Sequence, residues 1–214
     1  MQRAIIFSNG NLSNIDQVKK IITKKDFLIA ADGGVKYIFK LGLNPDVVIG
    51  DFDSVSTTLQ KKLDKQKIKL IKYPRKKDET DFELTINFIL EKEFKEIIIF
   101  GILGDRIDHF LANIFLLAKI QTENQNIKIK IIEGNKEIYI LNKEIIIYGK
   151  VGDEISIVPI SQKLKGVTTK GLYYRLIDET LSFGSTRGVS NVMTKTLAKI
   201  TVSAGTAVVE HNLQ

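Results

Sequence analysis

Along the first 134 positions, apolar residues fall into short runs separated by amphipathic stretches. Residues 4–7, 27–31, 47–49, 68–73, 97–100 and 127–132 are each of strand length, and most are nearly free of polar side chains. Runs of this kind suit strands buried on both faces, as in a parallel sheet covered by helices. Between them the spacing is helical. Ile15, Val18, Ile21 and Ile22 recur behind Ser13, the expected N-cap, and 35–41 make a short helix stopped by Gly42. A lysine-rich helix is expected from about Ser56. A further helix over 78–91 places Phe82, Ile86 and Ile89 on one face. In the next, Ile107, Phe110, Leu111, Ile114, Leu117 and Ala118 form a stripe predicted to face the core.

After Gly134 the rhythm changes. Residues 138–141, 145–148, 155–160, 167–170, 173–177 and 199–202 read as short strands broken by Gly, Asn, Asp or Pro, and no long amphipathic stretch remains. The expected architecture is an α/β N-terminal domain over 1–134, with a mainly parallel sheet flanked by helices. A C-terminal all-β sandwich or barrel domain is expected over 135–214.

The 214 residues suffice for one large domain or two small ones. A net charge of +7 suits a polyanionic partner. The lysines are scattered, however, and Arg75-Lys76-Lys77 is the one conspicuous basic triplet, which favours a phosphorylated small molecule over nucleic acid. The absence of cysteine excludes disulfides, thiolate nucleophiles and cysteine-ligated metals. No apolar run approaches the ~20 residues of a membrane helix. The run at 4–7 is too short for a signal-peptide core, so the expected location is the cytoplasm and no membrane contact is expected.

The acidic motifs fall where strands end, and ligands bind at the carboxyl ends of strands in open parallel sheets. In Gly50-Asp51-Phe52-Asp53-Ser54, alternation along an extended chain would put Asp51 and Asp53 on one side and Phe52 on the other. Two such carboxylates suit a hard cation such as Mg²⁺, although Gly, Asp and Ser also make ordinary turns. Asp32-Gly33-Gly34 either brings backbone N–H groups to a phosphate or simply turns the chain into a helix. In Asp78-Glu79-Thr80-Asp81, Asp78 is the expected N-cap with Asp81 at N3; alternatively Asp81 is a third carboxylate beside Asp51 and Asp53. Arg106, in the glycine loop at 101–109, suits phosphate oxygens or an ion pair with Asp108. A lone histidine such as His109 is more often structural. The P-loop, the Rossmann dinucleotide fingerprint and the H-E-x-x-H zinc helix are absent.

Taken in order, Asp32-Gly33-Gly34, Pro45-Asp46, Gly50-Asp51-Phe52-Asp53-Ser54, Asp78-x-Thr80-Asp81, Gly104-x-Arg106-x-Asp108-His109 and Arg187-Gly188-x-Ser190-Asn191 closely resemble the thiamine pyrophosphokinase family. The resemblance runs from about Ala30 to Asn191. Asp105 stands where the family usually has a second glycine. Tryptophan is absent, with Phe183 or a nearby tyrosine the expected substitute. The resemblance implies transfer of the diphosphate of ATP to the hydroxyl of thiamine, giving thiamine diphosphate and AMP. It implies Mg²⁺ on Asp51, Asp53 and Asp81, and a nucleotide pocket lined by Asp32, Gly33, Gly34, Asp78, Thr80, Arg106 and Asp108. Asp51, Asp53, Asp81 and Asp108 would serve catalysis, with Asp81 or Asp108 the candidate proton acceptor. Ser190 and Asn191 would contact thiamine, in a homodimer whose active sites are shared between subunits.

Overall fold

The computed structural model describes residues 3–53, 55–104 and 106–214. Met1, Gln2, Ser54 and Asp105, all within stretches read above, lie outside the described residues. The chain divides into two compact units, Met1–Leu116 with Asn126–Gly134, and Leu117–Gln125 with Asn135–Gln214.

The first unit is built on strands β1 (Arg3–Phe7), β2 (Phe27–Ala31), β3 (Val47–Gly50), β4 (Lys69–Lys72), β5 (Glu96–Phe100) and β6 (Lys128–Glu133). They lie in the order β6-β5-β1-β2-β3-β4, every neighbouring pair parallel. β1, β2 and β5 are buried along nearly their whole length, which is why they read as uninterrupted apolar runs. β4 closes the edge and exposes Lys69 and Lys72, charges that discourage pairing with a further chain. The helices are α1 (Ile15–Ile21), α2 (Val35–Lys40), α3 (Thr57–Lys65), α4 (Asp81–Leu90) and α5 (Ile107–Glu123). α2 packs on β1 and β2, and α4 on β2 and β3. Phe7 and Phe100 stack at the centre with ring centroids 5.3 Å apart. Strand order reverses at β1: β2 to β4 extend to one side, β5 and β6 to the other.

The second unit contains β7 (Lys136–Leu141), β8 (Glu144–Tyr148), β9 (Glu154–Pro159), β10 (Lys163–Lys170), β11 (Glu179–Ser182), β12 (Asn191–Val192), β13 (Leu197–Thr201) and β14 (Ala207–Asn212). Antiparallel rows β12-β9-β14-β7 and β11-β10-β13-β8 share one core. Ile155, Ile157 and Val209 from the first row meet Leu164, Val167 and Ile200 from the second. Of the two expected architectures, this is the sandwich. Among the described residues, no helix is long and apolar enough to cross a membrane.

Several elements depart from the sequence pattern. α1 is capped by Asn14, whose side chain accepts from the Gln17 N–H, while the Ser13 N–H points to Glu133 Oε1 at 3.4 Å. α4 begins later than expected. Its N-cap is Thr80, accepting from Glu83 N–H at 3.1 Å, so Asp81 is the first helical residue and Asp78 lies outside. The Thr80-x-x-Glu83 spacing of a capping box was the available signal. Ile114, Leu117 and Ala118 of α5 are buried as predicted, but Ile107 and Leu111 are exposed. The stripe therefore drifts off the core in the first turns of α5. The expected strand at 173–177 is irregular, and the Tyr174 N–H and carbonyl bond the Asn191 side chain in place of a strand partner. β11 and β14 went unread because β11 has a single apolar residue, Leu181, and β14 passes from Ala207-Val208-Val209 to the polar Glu210-His211-Asn212.

Candidate functional site

A cavity of about 400 Å³ opens at the carboxyl ends of β1, β2 and β5, where strand order reverses. This is where open α/β sheets hold their ligands. Its wall comes from Ser8, Asn9 and Gly10 after β1, Ala31 and Asp32 at the end of β2, and Gly101, Ile102 and Gly104 after β5. Thr80, Asp81 and Phe82 at the start of α4 close one side, and Arg106, His109 and Asn113 the other. Backbone bonds join the loops after β1 and β5: Gly10 N–H donates to Gly101 O at 2.9 Å and Asn11 N–H to Leu103 O at 2.7 Å.

Strand register assembles the carboxylates. Ala31 pairs with Ile49 across β2 and β3, so the chain leaves both strands at the same level, delivering Asp32 beside Gly50 and Asp51. A Cβ on Gly50 would lie only 3.0 Å from Asp32 Cβ, so the absent side chain lets the two segments approach. Among the described residues, Asp32, Asp51 and Asp53 each offer a carboxylate oxygen within 4.8 Å of the others. That span is near the ~4 Å between opposite ligands of a Mg²⁺ octahedron, and the donors are the hard oxygens this ion prefers. The donor set therefore fits a divalent cation.

The convergence of Asp51 and Asp53 has a different local cause from the extended alternation expected. Phe52 adopts φ 64°, a left-handed conformation unusual for a bulky residue, and its ring packs against the core of the first unit. The Asp53 N–H then donates to Asp51 Oδ1 at 3.0 Å. The motif is a turn with both carboxylates gathered on its outer side. That hydrogen bond from Asp53 leads in holding the Asp51 carboxyl below its ordinary range, against the opposing effect of burial, with the charges of Lys77 and Arg75 adding to it.

The third carboxylate of the cluster is Asp32, and Asp81 has another partner. Lys77 Nζ, in the segment just before α4, donates to Asp81 Oδ1 at 2.8 Å. Arg106 pairs with Asp108, Nε donating to Oδ1 at 3.1 Å, and its hydrogen bonds are the chief cause that brings the exposed Asp108 carboxyl down to about 2. Arg106 lines the cavity while Asp108 orients it from outside. Gly33 and Gly34 are buried, Gly34 against the end of β1, and Asp78 is exposed and away from the cavity wall.

Ser190 and Asn191 belong to the second unit. Ser190 is exposed at φ 56°, its N–H donating to Ser156 Oγ at 3.0 Å. Asn191 is buried, and its side chain bonds the Tyr174 N–H and carbonyl at 2.9 and 2.7 Å. Beside it, Tyr173 and Tyr174 are exposed and in edge-to-face contact, as is Phe183 exposed on its own loop. Sequence reasoning missed Ser8, Asn9, Gly10 and Asn113, and it set His109 aside. The available signal was position: Ser8-Asn9-Gly10 also ends a parallel strand, and His109 and Asn113 lie four apart on α5.

The family model described as thiamin pyrophosphokinase, catalytic domain, matches residues 18–131. The chain belongs to the thiamine pyrophosphokinase family. A second family model, the vitamin B1 binding domain of thiamin pyrophosphokinase, matches residues 142–208. The chain is similar to the thiamine pyrophosphokinase of Bacillus subtilis (strain 168), 33% identical over 196 residues that make up 89% of each protein. A crystal structure of a B. subtilis thiamine pyrophosphokinase superposes with TM-score 0.89, all of both chains covered, at 27% identity. The Candida albicans thiamin pyrophosphokinase, at 17% identity, shares the fold with TM-score 0.84, all of this chain and 89% of that one covered.

Proposed function

We propose that this member of the thiamine pyrophosphokinase family transfers the diphosphate group of ATP to the hydroxyl of thiamine, with AMP as the second product. The observation that carries the reading is the cavity at the reversal of strand order, with Asp32, Asp51 and Asp53 gathered at its edge. In this reading the nucleotide enters over the loops after β1 and β5, and its phosphates extend towards the carboxylates. Asp51, Asp53 and Asp32 would hold Mg²⁺, with Asp81 on the cavity wall close to the same phosphates. When bound, the ion would supply Lewis-acid chemistry, neutralising phosphate oxygens and polarising the phosphorus under attack.

The thiamine hydroxyl oxygen forms a bond to the β-phosphorus, the bridging bond to the α-phosphate breaks, and AMP departs with that electron pair. Arg106, held in place by Asp108, offers its guanidinium to oxygens on which charge accumulates. The hydroxyl proton leaves late in the transfer, to Asp81 or Asp108. Without substrate Asp108 is bonded to Arg106 and Asp81 to Lys77, so either takes the proton only once its partner has turned to phosphate. A loose phosphoryl-transfer transition state does not require early deprotonation, so positioning carries the catalysis. The second unit supplies the thiamine contacts through the loop bearing Ser190 and Asn191, in a homodimer whose sites draw on both subunits.

The test is AMP release from Mg·ATP by the purified chain with and without thiamine. Thiamine-dependent AMP with an equal yield of thiamine diphosphate is the expected result. AMP release indifferent to thiamine would make the acceptor wrong while keeping the nucleotide site.

A further inference from the structure

The Lys77 side chain is only 11% exposed. Lysines are buried to this degree when they are paired, and Nζ donates to Asp81 Oδ1. Asp81, the first residue of α4, already lies at the positive end of a helix, so it has little need of a cation of its own. The charge of the same ammonium also helps hold the Asp51 carboxyl below its ordinary range. Two residues earlier, Arg75 places Nε 3.3 Å from Asp53 Oδ2. Residues 75–77 therefore lay two cations across the carboxylates, and Lys77 is the sheltered one. Its partner Asp81 lines the cavity. An ammonium carries three donors, of which Asp81 takes one, and a flexible four-carbon stem lets it exchange partners.

We propose that Lys77 is a phosphate-binding residue that also serves as the counterion of the carboxylates until a divalent cation arrives. The proposal rests on the reading of the cavity as a Mg·ATP site. Without nucleotide, the ammonium balances Asp81 and Asp51. A divalent cation on Asp32, Asp51 and Asp53 repels it, and the β- and γ-phosphate oxygens become its best partners. Asp81 is then released towards the phosphates and the cation.

The test measures binding rather than turnover. Mn²⁺ affinity is read without nucleotide by electron paramagnetic resonance. Affinities for α,β-methylene-ATP, which cannot be cleaved at the reacting bridge, and for AMP are read by calorimetry at fixed Mn²⁺. Lys77→Met is expected to raise Mn²⁺ affinity about fivefold, since a like charge near the site is gone, and to weaken α,β-methylene-ATP about tenfold. AMP, lacking the two outer phosphates, should change less than about twofold, and Lys77→Arg should keep most of the α,β-methylene-ATP affinity. Lys77→Gln provides the same comparison if methionine at this position unfolds the chain. Unchanged Mn²⁺ and α,β-methylene-ATP affinities would reduce Lys77 to a structural pair with Asp81 and overturn the proposal alone. A wild-type chain that bound neither probe would overturn the reading of the cavity together with it.

Discussion

His211 Nε2 lies 2.9 Å from Asp153 Oδ2, and both side chains are fully buried in the second unit. Asp153 also accepts from the Lys150 N–H at 2.8 Å and the Gln214 N–H at 3.1 Å. Glu137 Oε2 stands 3.7 Å from the other ring nitrogen, His211 Nδ1. Burial alone would lower the His211 value, but Glu137 and Asp153 outweigh it and raise it above 6.5. Burial would likewise raise Asp153, but the Lys150 and Gln214 N–H groups and His211 hold it below 3.8.

The pair therefore makes stability depend on pH. A raised His211 value contributes fully below 6.5 and loses its contribution as pH rises through the higher folded value. A lowered Asp153 value contributes above 3.8 and is lost as pH falls through the lower folded value. The second unit should be most stable between about pH 4 and 6.5 and decline on the alkaline side. His211→Gln should cost about 3 kcal/mol at pH 6 and flatten the alkaline decline. Urea unfolding at several pH values tests this, and a variant that kept the wild-type slope would remove His211 as its source.

Gly34 is fixed by contact rather than by conformation. A Cβ there would lie 2.0 Å from the Phe7 carbonyl oxygen, a backbone atom that cannot swing aside. Gly34→Ala should force the turn after β2 away from the end of β1, costing more than about 3 kcal/mol and displacing Asp32 from the carboxylate cluster. Urea denaturation together with Mn²⁺ affinity measures both. Near-wild-type values for the two would mean that the loops close less tightly than this contact requires.

The strands of the first unit were legible because burial on both faces leaves uninterrupted apolar runs such as 27–31. β14 was hidden because its buried positions include His211, a polar residue inside the sandwich. The carboxylate cluster was half legible. Asp51 and Asp53 are neighbours in sequence, whereas Asp32 joins them only through the pairing of Ala31 with Ile49. No local pattern near Asp81 showed that Lys77 would occupy it, because in sequence Lys77 belongs to an ordinary basic triplet.

Asn191 is a test of how the second unit shapes its loop. Its side chain accepts from the N–H groups of Tyr174 and Val192, both at 2.9 Å, and donates to the Tyr174 carbonyl. Asn191→Ala leaves those backbone groups without partners and should cost about 2 kcal/mol. Because Tyr173 and Tyr174 would lose their anchor, KM for thiamine should rise several-fold more than KM for ATP. Thermal melts with steady-state kinetics separate the two effects, and equal rises in both KM values would count against a thiamine role for this loop.

Asp51→Asn changes charge with little change of shape. The amide oxygen can still accept from the Asp53 N–H, so the turn through Phe52 should persist. Relief of repulsion among three clustered carboxylates should leave the melting temperature equal or slightly higher. Removing one anionic ligand should nonetheless lower kcat about 10²–10³-fold and weaken Mn²⁺ in parallel. An unchanged fold with lost turnover would thus separate the catalytic carboxylate from a merely structural turn. Wild-type turnover at saturating Mg²⁺ would instead take Asp51 out of the metal site and leave Asp32 and Asp53 to hold the ion.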